Sequence, residues 1–139
     1  MDKTPRLHVL IVDDHDEMRA MLSRTLTEFG HTTFVAEHGG VALKIAASHP
    51  IDLMITDLVM PEKEGIETIM AIRKQYPHIR ILAMSGGHQN RNSLPYLELA
   101  ARLGAHGTLQ KPFNISELVA KIDEIIPADF VPASAQGDA

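Results

Sequence analysis

Cysteine and tryptophan are both absent from this sequence of 139 residues. Without cysteine the chain has no disulfides, no thiolate zinc site and no cysteine nucleophile, and nothing points to an oxidising compartment. Aromatic residues make up only 4% of the sequence, too few for the ring platforms on which proteins stack nucleic-acid bases. The simplest interpretation is a cytoplasmic protein.

Positive charge is also in short supply. Lys and Arg number 13 against 18 Asp and Glu, which gives a formal net charge of -5. This sign disfavours binding to nucleic-acid phosphates. The apolar stretch from Leu7 to Val12 contains His8 and runs directly into acidic residues, so it is neither a signal peptide nor a membrane span. We therefore expect neither nucleic acid nor membrane as a partner, and the length suits one domain.

Short apolar runs alternate with segments of helical spacing along the chain. Such runs, mostly rich in branched residues, are typical of strands buried on both faces of a parallel sheet. They are Leu7 to Val12, Thr33 to Ala36, Ile51 to Thr56, Ile79 to Met84 and Gly107 to Gln110. The predicted helices are Met18 to Phe29, Gly40 to Ala47, Gly65 to Gln75, Leu94 to Leu103 and Ile115 to Ile126. This alternation predicts an α/β fold, a doubly wound five-stranded parallel sheet with helices on both faces.

Local signals support several of these helix ends. Gly30 follows the first helix, where a left-handed residue commonly ends a helix. Asn114 with Glu117 three residues later is close to a capping-box pattern at the start of the fifth helix. Several methionines lie at core spacing and are interpreted as packing residues. They are Met18, Met21, Met54, Met70 and Met84.

The composition changes beyond Pro127. The remaining residues are small and rich in proline and alanine, which is typical of a flexible tail. We expect one domain over residues 1–127 and a tail over residues 128–139, in which Phe130 and Val131 could still pack against the domain. No internal repeat is evident, and we expect no separate output domain.

Polar residues follow four of the five predicted strands. Asp13 and Asp14 come after the first run, Asp57 after the third, Ser85 after the fourth and Lys111 after the fifth. In doubly wound sheets ligands bind beyond the carboxyl ends of the strands, so these side chains should meet at one rim. Two carboxylates roughly 4 Å apart repel by about 4 kcal/mol at an effective dielectric constant of about 20, so the cluster needs a cation. Oxygen ligands with room for water and a phosphate favour Mg²⁺.

This set of groups suits phosphoryl transfer. The metal would neutralise the charge on a phosphoryl group that approaches an anionic nucleophile. Lys111 would add a positive charge from the opposite side, and the Ser85 hydroxyl would donate to a phosphoryl oxygen. Asp57 is then the expected covalent acceptor, with catalysis by positioning and electrostatics.

The segments IVDDHDEMR, MITDLVMPEKEG, ILAMSGG and GAHGTLQKPF together resemble the receiver domain of bacterial two-component response regulators. The resemblance extends from about Leu7 to Ile126. It implies a flavodoxin-like receiver fold and a single-domain response regulator phosphorylated on Asp57. It also implies a histidine kinase or a histidine phosphotransfer protein as the phosphoryl donor.

The same resemblance assigns ligand roles. Asp14 would bind Mg²⁺ directly and Asp13 mainly through water. Asp57 and the backbone carbonyl of Val59 would complete the protein ligands. The resemblance further implies a cis peptide between Lys111 and Pro112, which would aim the lysine into the site.

The sequence departs from the family pattern in two places. The family usually carries Tyr or Phe three residues before the lysine, as a ring that moves with the Ser or Thr of the site, and here that residue is Thr108. The switch is then expected to rest on Ser85. The polar stretch GGHQNRNSLP after Ser85 is longer than is typical. We therefore expect phosphorylation to alter chiefly Gly86 to Leu103. His15 borders the acidic residues and could contact a phosphodonor.

Three other functions are alternatives to this interpretation. An aspartate-nucleophile phosphatase of the haloacid-dehalogenase kind carries a second acid two residues after the nucleophile, where this chain has Val59. A flavodoxin-like cofactor binder needs a phosphate loop after the first strand, and the acidic DDHDE would repel a phosphate there. A receiver-like module that binds proteins without phosphorylation stays open because of Thr108. The sequence does not choose between a relay shuttle, a phosphate sink and an allosteric partner.

Overall fold

The computed structural model describes residues 5–58, 64–85 and 93–133. Within these ranges strands and helices alternate along the chain, as the hydrophobic patterns predict. The strands are β1 (His8–Val12), β2 (Thr32–Ala36), β3 (Leu53–Asp57), β4 (Arg80–Ser85) and β5 (Gly107–Gln110). The helices are α1 (Asp16–Glu28), α2 (Gly39–Ser48), α3 (Glu64–Gln75), α4 (Ser93–Leu103) and α5 (Ile115–Ile125).

The strands form one parallel sheet in the order β2-β1-β3-β4-β5. Successive residues of a strand face opposite sides of a sheet, and β1 shows this clearly. Its Leu10 and Val12 pack with residues of α2, α3 and α4, whereas Val9 and Ile11 pack with α1 and α5. The doubly wound, flavodoxin-like α/β fold with helices on both faces is confirmed.

Burial on both faces holds for the central strands but not for the whole sheet. All of β3 is buried, as are the last four residues of β1. β2 lies at the edge of the sheet, and its Val35 is 44% exposed. The expectation of complete burial was therefore wrong for this strand, because the linear sequence does not show which strand ends at an edge.

The local helix signals are confirmed. Gly30 has φ of 97°, a conformation that costs a residue without Cβ little. The Asn114 side chain accepts from the Glu117 N–H at 2.8 Å, and the Glu117 carboxylate accepts from the Asn114 N–H at 2.8 Å. Among the methionines, Met54 and Met84 are fully buried, but the packing interpretation was wrong for Met21 and Met70, which are 38% and 50% exposed.

The described part of the predicted tail contacts the domain. Phe130 packs against the apolar cluster that α1 and α5 form with the sheet. The Ala133 N–H donates to the buried carboxylate of Asp52, which lies just before β3. Residues 134–139 lie outside the described ranges, and the boundary at residue 127 stays a prediction.

A helix that crosses a membrane needs about 20 mostly apolar residues. Across residues 5–58, 64–85 and 93–133, no helix is long and apolar enough to do so.

Candidate functional site

Backbone hydrogen bonds between neighbouring strands continue one residue beyond the ends of β1 and β5. They fix the polar residues there at the carboxyl rim of the sheet. The Asp13 N–H donates to the Ala36 carbonyl at 3.1 Å, and the Lys111 N–H donates to the Ser85 carbonyl at 2.7 Å. Asp57 is the last residue of β3. The predicted rim residues are therefore fixed by the same ladder that forms the sheet, rather than by mobile loops.

Carboxylates from two strand ends converge at this rim. Asp13, Asp14, His15 and Asp57 each offer one ligand atom, and these atoms lie within 4.8 Å of one another. Asp13 is 0% exposed and Asp57 is 1% exposed, whereas Asp14 and His15 reach solvent. Three carboxylates at such distances repel strongly in the partly desolvated rim.

Lys111 supplies positive charge inside the pocket. Its Nζ lies 3.2 Å from Asp57 Oδ2 and 3.5 Å from Asp13 Oδ2, and its side chain is 13% exposed. The peptide bond between Lys111 and Pro112 is cis. One lysine against three carboxylates leaves the acidic pocket with a surplus of negative charge, which a cation would relieve.

Two buried oxygens at this rim lack hydrogen bonds. Asp13 Oδ2 and Ser85 Oγ are both inaccessible to solvent, and no described residue gives either one a hydrogen bond. Buried polar atoms normally have partners, and leaving one without a partner costs about 1–3 kcal/mol. Asp13 Oδ2 faces the Lys111 ammonium at 3.5 Å, but no described residue fills the hydrogen-bonding capacity of either atom. These two atoms and the all-oxygen carboxylate set fit a hard cation such as Mg²⁺ together with a phosphoryl group.

Two supporting residues were missed by sequence reasoning. Arg19 on α1 donates from Nη1 to the Asp13 carbonyl at 2.7 Å and pairs with Asp16, which ties the loop after β1 to the helix. Gly65 approaches the backbone of β3 closely, since a Cβ there would lie 2.6 Å from the Asp57 carbonyl oxygen. Arg19 was missed because an arginine on an amphipathic helix usually faces solvent. For Gly65, the available signal was a glycine in the first turn of α3, the helix that follows β3.

Some sequence predictions at this site cannot be placed. Val59, the predicted backbone ligand, and residues 86–92, which begin the segment that phosphorylation is expected to alter, lie outside the described residues. Thr108 is partly buried on β5 and pairs with Ala83 of β4. The switch roles of Ser85 and Thr108 stay predictions.

The fold and the rim define a doubly wound α/β domain with an acidic, lysine-flanked pocket at the carboxyl ends of its strands. The chain matches the family model described as the response regulator receiver domain over residues 9–123. It therefore belongs to that family of two-component signalling proteins, and the resemblance of its motifs is confirmed.

Curated relatives agree with this assignment. The chain is 33% identical over 131 residues to the DNA-binding transcriptional regulator NtrC of Azospirillum brasilense, covering 94% of this chain and 26% of that protein. It is 38% identical over 120 residues to the transcriptional regulatory protein CpxR of Escherichia coli K12, covering 85% of this chain and 48% of that protein. The chain thus spans half or less of the length of these relatives.

Solved structures show the same fold. The chemotaxis response regulator CheY4 of Vibrio cholerae superposes with a TM-score of 0.77 at 31% identity, covering 88% of this chain and 100% of that chain. A response regulator of Burkholderia pseudomallei superposes with a TM-score of 0.75 at 26% identity, covering 84% of this chain and 66% of that chain. The Burkholderia structure contains a phosphorylated aspartic acid and a calcium ion.

Proposed function

We propose that this protein is a phosphoacceptor of a two-component pathway, which takes a phosphoryl group on Asp57 in a reaction that depends on Mg²⁺. The observation that carries the proposal is the environment of Asp57. Its carboxylate is 1% exposed, faces Lys111 Nζ at 3.2 Å and shares a cluster with Asp13 and Asp14. Beside it, Asp13 Oδ2 and Ser85 Oγ are buried without hydrogen bonds in the described part of the chain.

The transfer forms one bond and breaks one. An Asp57 carboxylate oxygen bonds to the phosphorus, the P–N bond of a donor phosphohistidine breaks, and the donor imidazole leaves with the electron pair. Asp13, Asp14 and Asp57 would hold a Mg²⁺ ion, which would neutralise the charge of the phosphoryl group. The backbone carbonyl of Val59 is the further proposed ligand.

Two side chains of this chain act on the transferred group. Lys111, already within reach of Asp57, stabilises a phosphoryl oxygen by charge. The Ser85 hydroxyl, which has no hydrogen-bond partner within the described residues, donates to a second phosphoryl oxygen. Nucleophilic attack by Asp57, charge stabilisation by Lys111 and hydrogen bonding by Ser85 thus come from the ends of three different strands at one rim.

Signalling by protein contact follows from this chemistry. Receiver domains partner with histidine kinases and are typically phosphoacceptors rather than enzymes. We propose a histidine kinase or a histidine phosphotransfer protein as the donor, in the cytoplasm, with only slow self-dephosphorylation. By resemblance to the family, Val59 would border the water that hydrolyses the phosphoaspartate, and a valine side chain offers no hydrogen bond to orient that water.

The test is a mass measurement after incubation with phosphoramidate, with and without Mg²⁺. The wild type should gain a single phosphoryl group only with Mg²⁺, and Asp57→Asn should gain none. Asp129→Asn, which removes an exposed carboxylate far along the chain, is the control and should react like the wild type. A fully reactive Asp57→Asn protein would refute the assignment. An inert wild type would favour the alternative of a receiver-like module that binds proteins without phosphorylation.

A further inference from the structure

We propose that His15 is an additional ligand in the metal site, and that this nitrogen ligand strengthens the binding of Co²⁺ but not that of Mg²⁺. The inference rests on the proposed function for the acidic cluster itself. It adds a residue, and a nitrogen contribution to Co²⁺ affinity that an all-oxygen site lacks.

The position of the imidazole carries the inference. His15 Nδ1 lies 3.1 Å from Asp14 Oδ1 and 3.2 Å from Asp13 Oδ1. Neighbouring ligands around a six-coordinate ion with bonds of about 2.1 Å lie about 3.0 Å apart. The ring nitrogen therefore already has ligand spacing from both carboxylates.

The place of His15 in the helix shows that its ring is not needed elsewhere. His15 is the N-cap residue of α1, yet its side chain makes no capping hydrogen bond. His38 is the N-cap residue of α2, and its Nδ1 accepts from the Gly40 N–H at 3.1 Å. The same residue type at the same helix position thus caps one helix and faces carboxylates at the other.

The backbone holds His15 in place while leaving the ring accessible. The His15 N–H donates to Asp13 Oδ1 at 2.8 Å, which couples the residue to the buried carboxylate. Its side chain is 69% exposed, so the ring can turn toward an ion without disturbing packed neighbours. The separate sign that the cluster takes a ligand is Asp13 Oδ2, buried without a hydrogen bond from any described residue.

Ligand chemistry then sets the metal preference. Mg²⁺ is a hard ion that binds oxygen, so it gains little from an imidazole. Affinity for nitrogen-containing sites rises along the first-row divalent metals, and imidazole suits them well. Removing the ring should therefore weaken Co²⁺ binding selectively.

The test is calorimetric titration of Co²⁺ and of Mg²⁺ into the wild type, His15→Gln and His38→Gln. His15→Gln should weaken Co²⁺ binding at least about tenfold, the loss that even outer partners of metal ligands produce, and should leave Mg²⁺ binding within about twofold. His38→Gln, which removes a matched N-cap histidine, should change neither affinity.

The contrary outcomes separate this inference from the function on which it rests. If His15 only donates a hydrogen bond to the carboxylates, His15→Gln will bind Co²⁺ as tightly as the wild type or more tightly, which overturns the ligand role. Such a result with intact Mg²⁺ binding and intact phosphoramidate reactivity leaves the proposed function standing. A wild type that binds neither metal overturns both.

Discussion

The strands of the sheet begin at what we call its amino edge and end at its carboxyl edge, the rim described above. Equally buried carboxylates at these two edges differ in their hydrogen bonds. Asp52, just before β3 at the amino edge, is 0% exposed, and its oxygens accept from the backbone N–H groups of His8 and Ala133. Asp13, just after β1 at the carboxyl edge, is also 0% exposed, but its Oδ2 accepts no hydrogen bond from any described residue. Burial alone therefore does not mark function. A buried polar atom whose hydrogen bonds are not made by the described residues is the more informative sign, even though Asp13 Oδ2 faces the Lys111 ammonium at 3.5 Å.

Three of the histidines show the same contrast. At the amino edge, His31 Nδ1 accepts from the Leu7 N–H and His106 Nδ1 accepts from the Ile81 N–H, each at 3.0 Å. These rings complete backbone groups at or next to the starts of strands. His15, at the carboxyl edge, instead faces carboxylates. The amino edge is stabilised by hydrogen bonds within the chain, whereas the acidic pocket at the carboxyl edge is expected to bind a ligand.

The largest expected effect is a difference in stability between two carboxylate substitutions. Asp52→Ala should lower the free energy of unfolding by about 2–4 kcal/mol, because two backbone donors lose their acceptor. Asp13→Asn should leave it unchanged or raise it without divalent metal, because one of the clustered negative charges is removed. Urea unfolding measures both, and equal losses would remove the contrast between the edges.

A smaller effect is expected at Ser85. Its buried hydroxyl has no hydrogen bond among the described residues, so Ser85→Ala should raise the free energy of unfolding by up to about 1 kcal/mol. Ser23→Ala is the matched control, because Ser23 Oγ bonds Thr33 Oγ1 at 2.8 Å, and it should lower the free energy of unfolding by about 0.5–1.5 kcal/mol. A loss at Ser85 as large as that at Ser23 would show that the hydroxyl is satisfied.

The smallest effect concerns pH at the amino edge. Desolvation of the ring, followed by the charges of Arg80 and Arg73, lowers the pKa of His106 below its ordinary value of 6.5. The unfolded chain then binds a proton at a higher pH than the folded one. This contribution to stability is complete above pH 6.5 and is lost as the pH falls through the lower folded pKa.

His106→Asn keeps an acceptor for the Ile81 N–H but removes the titrating group. It should flatten the dependence of unfolding free energy on pH just below 6.5, measured by urea unfolding at several pH values. His78→Asn, at an exposed position, is the control and should leave that slope intact. Parallel slopes for the wild type and His106→Asn would contradict the prediction.

Most of the fold was predictable from the hydrophobic periodicity of the sequence and from the residues that mark helix ends. Alternating strand-like and helical segments, with Gly30 and Asn114 at helix ends, predicted element type and order because each signal is local. The edge position of β2 and the exposure of Met70 were not predictable. Both depend on which elements become neighbours in space, and spacing along the chain does not determine this.

The candidate site also has features that the sequence predicts and features that it does not. The convergence of Asp13, Asp57 and Lys111 could be predicted, because parallel strands deliver their carboxyl ends to one rim. The bond between Asp52 and Ala133 joins residues 81 apart in sequence, and no local pattern announces it. Gly65 was missed because the close approach of its backbone to β3, which leaves no room for a Cβ beside the Asp57 carbonyl, exists only once α3 is placed.

The most direct measurement is urea unfolding with and without Mg²⁺ and beryllium fluoride, a phosphoryl mimic. If the carboxyl edge is completed by a phosphoryl group on Asp57, the wild type should gain about 2.7 kcal/mol or more at ligand concentrations near 100 times Kd. Asp57→Asn should gain no more than Mg²⁺ alone provides. An equal gain in both proteins, or none in the wild type, would contradict the account.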